Sequence, residues 1–127
     1  MLIKIDFQSE EAIYMQLRNQ IVMGIATSVI REGDTLPSVR QMAGEIGINM
    51  HTVNKAYALL RQEGFVTIDR RRGAIVALDA DKRRTIEELK IPMQVLLAKA
   101  ICKNVSRNEM HAMVDSIYDT LLGYTAE

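Results

Sequence analysis

The chain has 127 residues, 48% of them apolar, and its 16 Lys and Arg residues balance its 16 Asp and Glu residues. This length excludes a large enzyme and predicts one modest domain, or a domain with a small appendage. No apolar run approaches the roughly 18 residues that cross a bilayer, so no membrane partner is expected. The single cysteine, Cys102, suits a reducing compartment and predicts a cytoplasmic location.

The first predicted helix covers residues 10–31. It should stop near Gly33 and Asp34, a turn pair, and Pro37 then keeps Leu36 extended so that no helix runs through. The prediction of this helix depends on an apolar residue at every fourth position, namely Ile13, Leu17, Ile21, Ile25 and Val29.

Two shorter helices joined by a tight turn are predicted next. The first runs from Ser38 to Ile46, with Ser38 and Gln41 as a capping box. Gly47 ends it, and Asn49 caps the third helix. The inner face of the third helix carries Val53, Ala56, Tyr57 and Leu60, and its outer face carries His51, Lys55, Ala58 and Gln62, with Asn54 at the flank. Such a helix suits the major groove of DNA, where the N-terminal residues of a recognition helix meet base edges.

A β-hairpin is predicted after the third helix, because FVTID and AIVAL flank a basic turn, RRRG. Its three arginines repel one another, so a negatively charged partner is expected. Arg71 and Arg72 would reach phosphates or the minor groove, and Gly73 would allow the backbone to approach closely. From Arg40 to Arg72 there are six cations and three anions. This local excess predicts DNA binding that needs shape and hydrogen bonds as well as charge.

The chain carries in order the LPSVR segment, the AYALL run, the EG after it and the glycine-tipped hairpin. Together they resemble the winged helix-turn-helix of the GntR family of bacterial transcription regulators. The resemblance covers about residues 10–78. The resemblance implies DNA contacts at the arginine of LPSxR, at the start of the recognition helix and at the wing tip. Those positions and their polar neighbours give the candidate DNA-binding set: Ser38, Arg40, Asn49, Met50, His51, Thr52, Asn54, Lys55, Arg71, Arg72 and Gly73. Many family members carry Arg where this chain has Met50, so no operator sequence is carried over.

The remaining residues, 79–127, predict a dimerisation tail made of a helical hairpin, behind a DNA-binding domain at residues 1–78. Ser106 and Glu109 fit a capping box at the start of the second tail helix, and residues 104–106 form the turn. Pro92 predicts a kink or break near Lys90 and Ile91, because it removes a helical hydrogen bond. The predicted fold is therefore mainly α-helical with one small β-hairpin.

Both tail helices carry a continuous apolar seam. Seams of this size cannot be buried within one chain, so we expect them to meet a second copy in a homodimer. The seam residues recur at steps of three and four: Ile86, Leu89, Met93, Leu96 and Ala100 in the first helix, and Met110, Val114, Ile117, Leu121 and Tyr124 in the second. Leu97, next to Leu96, is assigned to the same dimerisation surface.

A tail this short leaves no room for the metabolite-sensing domain of longer family members, and it resembles the YtrA-type subfamily, dimeric repressors often linked to transporter operons. The resemblance implies a homodimeric repressor of its own or a transporter operon, bound to a pseudo-palindromic operator in double-stranded DNA. A small-molecule effector would enter at the dimer seam, although no residue set identifies one.

Alternatives stay open for several of these residues. A winged-helix adaptor would dock an acidic protein through the basic tip without binding DNA, or the tip would be a solvated turn. Arg40 would alternatively form a salt bridge with Glu45. An enzyme is not expected, because no nucleophile–base pair, carboxylate pair or phosphate-binding loop appears. No cofactor or metal is expected either, since His111 and Asp115 lack a third ligand.

Overall fold

The computed structural model describes residues 3–123, which form five helices and one two-stranded antiparallel sheet. The chain divides into two compact units, one ending at Asp79 and the other beginning at Ala80. No helix within the described range is long and apolar enough to span a membrane. In chain order the elements are α1 (Ile13–Ala26), α2 (Val39–Ile46), α3 (Met50–Gln62), β1 (Val66–Asp69), β2 (Gly73–Val76), α4 (Lys82–Cys102) and α5 (Arg107–Leu122).

Helix α3 is the centre of the first unit, because it packs against α1, α2 and β1. Its predicted inner face is confirmed, since all four of its apolar residues are buried. The core around it draws on α1, α2 and both strands, so α3 is held from three sides. The buried apolar residues are Leu17, Ile21, Ile30, Leu36, Met42, Ala43, Val53, Ala56, Tyr57, Leu60, Val66, Ala74 and Val76.

Helix α1 ends at Ala26, well before the predicted end at residue 31. The Thr27 hydroxyl donates to the Met23 carbonyl at 2.9 Å, and the Thr27 amide donates to the same oxygen. Ser28 then takes a positive φ of 64°, a conformation that no helix accommodates. The turn near Gly33 therefore follows a loop and does not terminate the helix.

The residue that continues the apolar face of α1 is Ile30, and the assignment of Val29 to that face is wrong. Val29 is 70% exposed, whereas Ile30 is buried. The Ile30 amide donates to the Gly24 carbonyl at 3.0 Å, which folds the chain back onto the helix. A Cβ at Gly24 would lie 2.7 Å from Ile30 Cδ1, so the glycine makes room for this return.

The segment before α1 is fastened to that helix by two glutamines one turn apart. The buried Gln16 side chain accepts from the Asp6 amide at 2.9 Å and donates to the carbonyls of Asp6 and Glu11. Gln20 makes the same pair of bonds with the amide and carbonyl of Lys4. The two side-chain amides thus bond to the backbone of this segment as a neighbouring strand would. These bonds also satisfy polar groups whose burial would otherwise cost free energy.

The loop before α2 pairs with the outer side of the hairpin. Strands β1 and β2 pair in register from Val66 opposite Val76 to the turn. On the other side of β2, the Gly33 amide donates to the Val76 carbonyl at 2.7 Å, and the Leu36 amide donates to the Ala74 carbonyl at 2.8 Å. The hairpin is therefore tied by backbone hydrogen bonds to the segment that leads into α2.

The first tail helix, α4, runs unbroken from Lys82 to Cys102 with Pro92 inside it. The chain therefore does not break near Lys90 and Ile91, and the kink predicted there stays a prediction. A proline removes one intrahelical hydrogen bond, and the bonds on either side of it hold the long helix together.

The turn and the second tail helix form as predicted. Asn104 has a positive φ of 63°, and the capping box of α5 is complete. The Ser106 hydroxyl accepts from the Glu109 amide at 3.1 Å, and the Glu109 carboxylate accepts from the Ser106 amide at 2.8 Å. These bonds lower the pKa of Glu109.

The tail leaves its apolar seam residues open to solvent. Only Ala100 of the described tail residues is buried, and Met110 and Leu121 are half-buried. Helices α4 and α5 share no extended contact along their lengths. The predicted seam residue Tyr124 lies outside the described residues. The other seam residues are exposed: Ile86, Leu89, Met93, Leu96, Leu97, Val114 and Ile117.

Candidate nucleic-acid interface

The start of α2 presents Arg40 to solvent. The Ser38 hydroxyl caps the helix by accepting from the Gln41 amide at 3.0 Å. The Gln41 side chain donates to Glu45 at 3.1 Å, so the reciprocal half of the predicted capping box is not formed. Within residues 3–123 Arg40 makes no ion pair, which removes the alternative of a salt bridge with Glu45. Its side chain is exposed and stays a candidate contact to a negatively charged partner.

The turn between α2 and α3 brings the predicted base-reading residues to the surface. Gly47 ends α2 in the left-handed region with φ 71°, and its amide donates to the Ala43 carbonyl. Asn49 then caps α3, with its side-chain oxygen accepting from the His51 amide at 2.7 Å. Thr52 is half-buried, and the other predicted residues of this region are exposed, namely Asn49, Met50, His51, Asn54 and Lys55.

Lys55 is held by the first helix. Its ammonium lies 4.1 Å from the centre of the Tyr14 ring, and the lysine side chain remains exposed. A cation over an aromatic face is attracted by the ring's quadrupole. Lys55 therefore carries its charge at a fixed position between α1 and α3.

The wing tip is organised by Asp69. Its carboxylate accepts from the amides of Arg71 at 2.7 Å and Arg72 at 3.1 Å. These two backbone bonds, with Arg71 the stronger influence, lower the pKa of Asp69. The anion is thus used to shape the turn, and Arg71 projects at the tip without an ion pair in the described part of the chain.

Arg72 differs from its neighbours because its side chain reaches back to the loop before α2. The guanidinium donates to the Gly33 carbonyl at 3.1 Å and to the Thr35 hydroxyl at 3.4 Å. The side chain therefore fastens the wing as well as carrying a charge. Sequence reasoning assigned Arg72 only to DNA, because a contact across 39 residues leaves no local pattern.

The anions of this region are each engaged elsewhere. Glu63 pairs with Arg18 of α1 at 2.6 Å, Glu45 accepts from a glutamine, and Asp69 accepts from the turn amides. Arg40 and Arg71 form no ion pair with these carboxylates in the described part of the chain, and from Arg40 to Arg72 the cations outnumber the anions by six to three. This arrangement favours a negatively charged ligand over the same face.

Two open grooves follow the outer face of α3. The larger, of about 750 Å³, lies between the start of α2, the second half of α3 and the hairpin. The smaller, of about 560 Å³, surrounds the first turn of α3 and is lined by Val39, Asn49, Met50, His51 and Asn54. Asn54 and Val39 line both grooves, so they connect the two.

Two apolar groove residues were missed by sequence analysis. Val39 lines both grooves, and Ile68 of β1 lines the larger one with 51% of its surface exposed. Ile68 is two positions after the buried Val66, on the same face of the strand, where strand alternation favours burial. The pattern V-x-I alone does not reveal that the strand leaves the core before Ile68.

The recognition helix is tied to the loop before α2 by a buried hydroxyl. Tyr57 donates to the Pro37 carbonyl at 2.7 Å. Burial, and then the charge of Glu45, raise the pKa of Tyr57 above its ordinary value of 10.0. The hydroxyl therefore stays protonated and fixes the position of α3 against the entry to α2.

We expect Tyr57→Phe to lower the free energy of unfolding by about 1 kcal/mol, because the partly buried Pro37 carbonyl loses its donor. Urea unfolding followed by circular dichroism measures the change. Tyr14→Phe is the matched control, since no hydrogen bond of its hydroxyl is found among the described residues. The contribution of Tyr57 to the free energy of unfolding should fall as the pH rises above about 10, because the tyrosine ionises first in the unfolded chain. Equal effects of the two substitutions would contradict this role.

Nothing in the described chain groups three or more His, Cys, Asp or Glu residues as a metal site. Cys102 is a free, exposed thiol. The first unit instead presents a surface rich in cationic and amide side chains, beside an apolar groove.

Comparison with known proteins identifies the family of the chain. The model for the family described as "Bacterial regulatory proteins, gntR family" matches residues 10–76. The HTH-type transcriptional repressor YtrA of Bacillus subtilis is 32% identical over 121 residues, which cover 91% of this chain and 92% of that protein. The similarity therefore extends through most of the tail.

Solved structures share the fold. YtrA of Sulfolobus acidocaldarius, a GntR-family transcription factor, is 38% identical with a TM-score of 0.62, over 76% of this chain and 99% of that one. A transcriptional antiterminator of Listeria monocytogenes reaches a TM-score of 0.87 at 24% identity, over 100% of this chain and 97% of that chain. The second likeness concerns the fold alone.

Proposed function

Because the chain belongs to the GntR family of bacterial regulatory proteins, and is a DNA-binding transcription regulator, we propose that two copies bind one pseudo-palindromic operator and repress transcription. The Bacillus relative is named a repressor, which supports this direction of control. The target would be the regulator's own operon or a transporter operon, in the cytoplasm. No cofactor takes part in this proposal.

The exposed outer face of α3 is the observation that carries the proposal. Asn54 and His51 are exposed on this helix, and Arg40 at the start of α2 and Arg71 at the wing tip are exposed as well. A helix of this kind enters the major groove, where its amide side chains meet base edges. The arginines would bind phosphates and fix the register of the protein on the duplex.

The tail supports the two-copy part of the proposal. Its seam is largely exposed in the single chain. On the opposite side α4 carries a second apolar stripe, made of Ile91, Val95, Ala98 and Cys102 at steps of four, three and four. A helix that is apolar on opposite sides is normally buried between neighbours. Burying both apolar sides of α4 requires more apolar surface than α5 of the same chain supplies. A second copy of the chain would supply the remaining surface.

A symmetric pair would set two recognition helices about 34 Å apart, one turn of DNA. Each copy would read one half-site, and the joint affinity would exceed that of one copy by about 10²–10⁴-fold. An effector bound in the tail would act by changing the separation of the two helices.

The test is selection of duplexes from a random 25-base-pair library, about two and a half helical turns, followed by anisotropy titrations over a range of salt. We expect Arg40→Ala and Arg71→Ala each to weaken binding and to lower the slope of log affinity against log salt by about 0.9, because each removes one phosphate contact. Arg31→Ala, in the exposed loop before α2, is the matched control and should leave the slope unchanged.

Two outcomes would contradict the proposal. Unchanged affinity and slope in both test variants would show that these arginines do not bind DNA. Failure to select any duplex, together with salt-insensitive capture of an acidic protein, would favour the adaptor function instead.

A further inference from the structure

Met50 is an apolar side chain in a place where the surface is otherwise polar. It is the first residue of α3 and is 44% exposed. Its neighbours along the chain are the cap Asn49 and the exposed His51. Exposing a thioether gains nothing for folding, so a ligand that covers it would supply the missing burial.

A second apolar residue faces the same space. Val39, the first residue of α2, lines the smaller groove together with Met50. The remaining lining is polar, from Asn49, His51 and Asn54. The two helix starts thus form a small apolar floor with amide and imidazole groups around it.

The major groove of DNA offers one apolar group, the C5 methyl of thymine. Phosphates, guanine and cytosine edges present charge or hydrogen-bonding atoms that Met50 cannot satisfy. A methyl group seated between Met50 and Val39 would leave water on binding. The flexible methionine side chain can adjust its length and angle to meet it.

Asn54 limits where this thymine lies. It follows Met50 by four residues, on the same side of α3, and lines the same groove. One helical turn advances about 5.4 Å, between one and two base-pair steps of about 3.4 Å. Asn reads adenine through paired hydrogen bonds.

From this geometry we infer that Met50, backed by Val39, reads the C5 methyl of one thymine in each half-site. That thymine lies one or two base pairs from the pair contacted by Asn54. Met50 is therefore a specificity-determining residue that favours an A·T pair where a basic residue would favour guanine. The inference rests on the proposed function, because it requires α3 to enter the major groove.

The experiment replaces each thymine of a selected duplex, one at a time, by deoxyuridine, which lacks only the methyl group. One thymine per half-site should weaken binding of the unaltered protein by about fourfold, the effect of one buried methyl group. Met50→Ala should bind the thymine duplex less tightly and should lose most of the difference between the thymine and uracil duplexes. Met50→Leu, which keeps an apolar side chain, should retain most of the difference.

Asn54→Ala is the second control, and it should keep the response to uracil while losing the preference for adenine nearby. The inference is overturned if no single uracil weakens binding, or if Met50→Ala responds to the same uracil as the unaltered protein does. Either result would leave duplex binding itself intact. Failure of the proposed function is distinguishable, because no duplex would then be selected at all.

Discussion

Leu96→Asp is expected to leave the protein as single chains at micromolar concentration. Leu96 belongs to the α4 seam and is 51% exposed in the single chain. In a dimer each copy would bury one carboxylate without a partner, at a cost of several kcal/mol. A cost of about 4 kcal/mol raises the dissociation constant about a thousandfold. Sedimentation velocity should then give the mass of one chain, where we expect the mass of two chains for the unaltered protein.

The same substitution should weaken operator binding by about a hundredfold or more, since single chains lose the advantage of two linked half-sites. Gln94→Asp adds the same charge two residues earlier on α4, at an exposed polar position, and should leave both mass and affinity nearly unchanged. Circular dichroism checks that α4 still forms in each variant. A Leu96→Asp protein that sediments as two chains would refute the assignment of the seam.

Leu60→Ala should cost about 2–5 kcal/mol of unfolding free energy, because it opens a cavity in a closely packed core. Leu60 lies on the inner face of α3 and is fully buried. Since small domains hold about 5–15 kcal/mol in total, a large part of the stability of the first unit is at risk. Thermal unfolding should begin at least about 8 °C lower.

Leu59→Ala removes the same atoms from the neighbouring leucine, which is only half-buried, and should cost clearly less. Operator affinity of Leu60→Ala, measured well below its melting temperature, should stay within about threefold of the unaltered protein, because the outer face of α3 is untouched. Equal destabilisation by the two substitutions would contradict the central position of α3.

The elements set by neighbouring residues were predictable from sequence. The caps at Ser38 and Asn49 specify where α2 and α3 begin, because a side-chain oxygen reaches an amide two or three residues ahead. The apolar spacing of α3 predicted its buried face, because residues three and four apart lie on the same side of a helix. The surface of the candidate interface followed from these two helices.

Features that depend on distant contacts were not predictable. The end of α1 depends on Ile30 folding onto Gly24, and periodicity alone extended the helix through Val29. The buried Gln16 satisfies Asp6 ten residues away. At the interface, Val39 enters the grooves only because two helix starts come together. None of these contacts has a fixed spacing in the sequence.

The bonds from Arg72 to Gly33 and Thr35, with the pairing of the same loop to β2, also determine how the wing can meet a ligand. A free two-stranded ribbon would give up much of its conformational entropy when it docks. Here most of that entropy is already lost on folding, which lowers the cost of binding. The restraint has a second consequence: because this loop bonds to the wing and leads into α2, we expect the wing and α2 to move together, so a duplex would have to fit both at once.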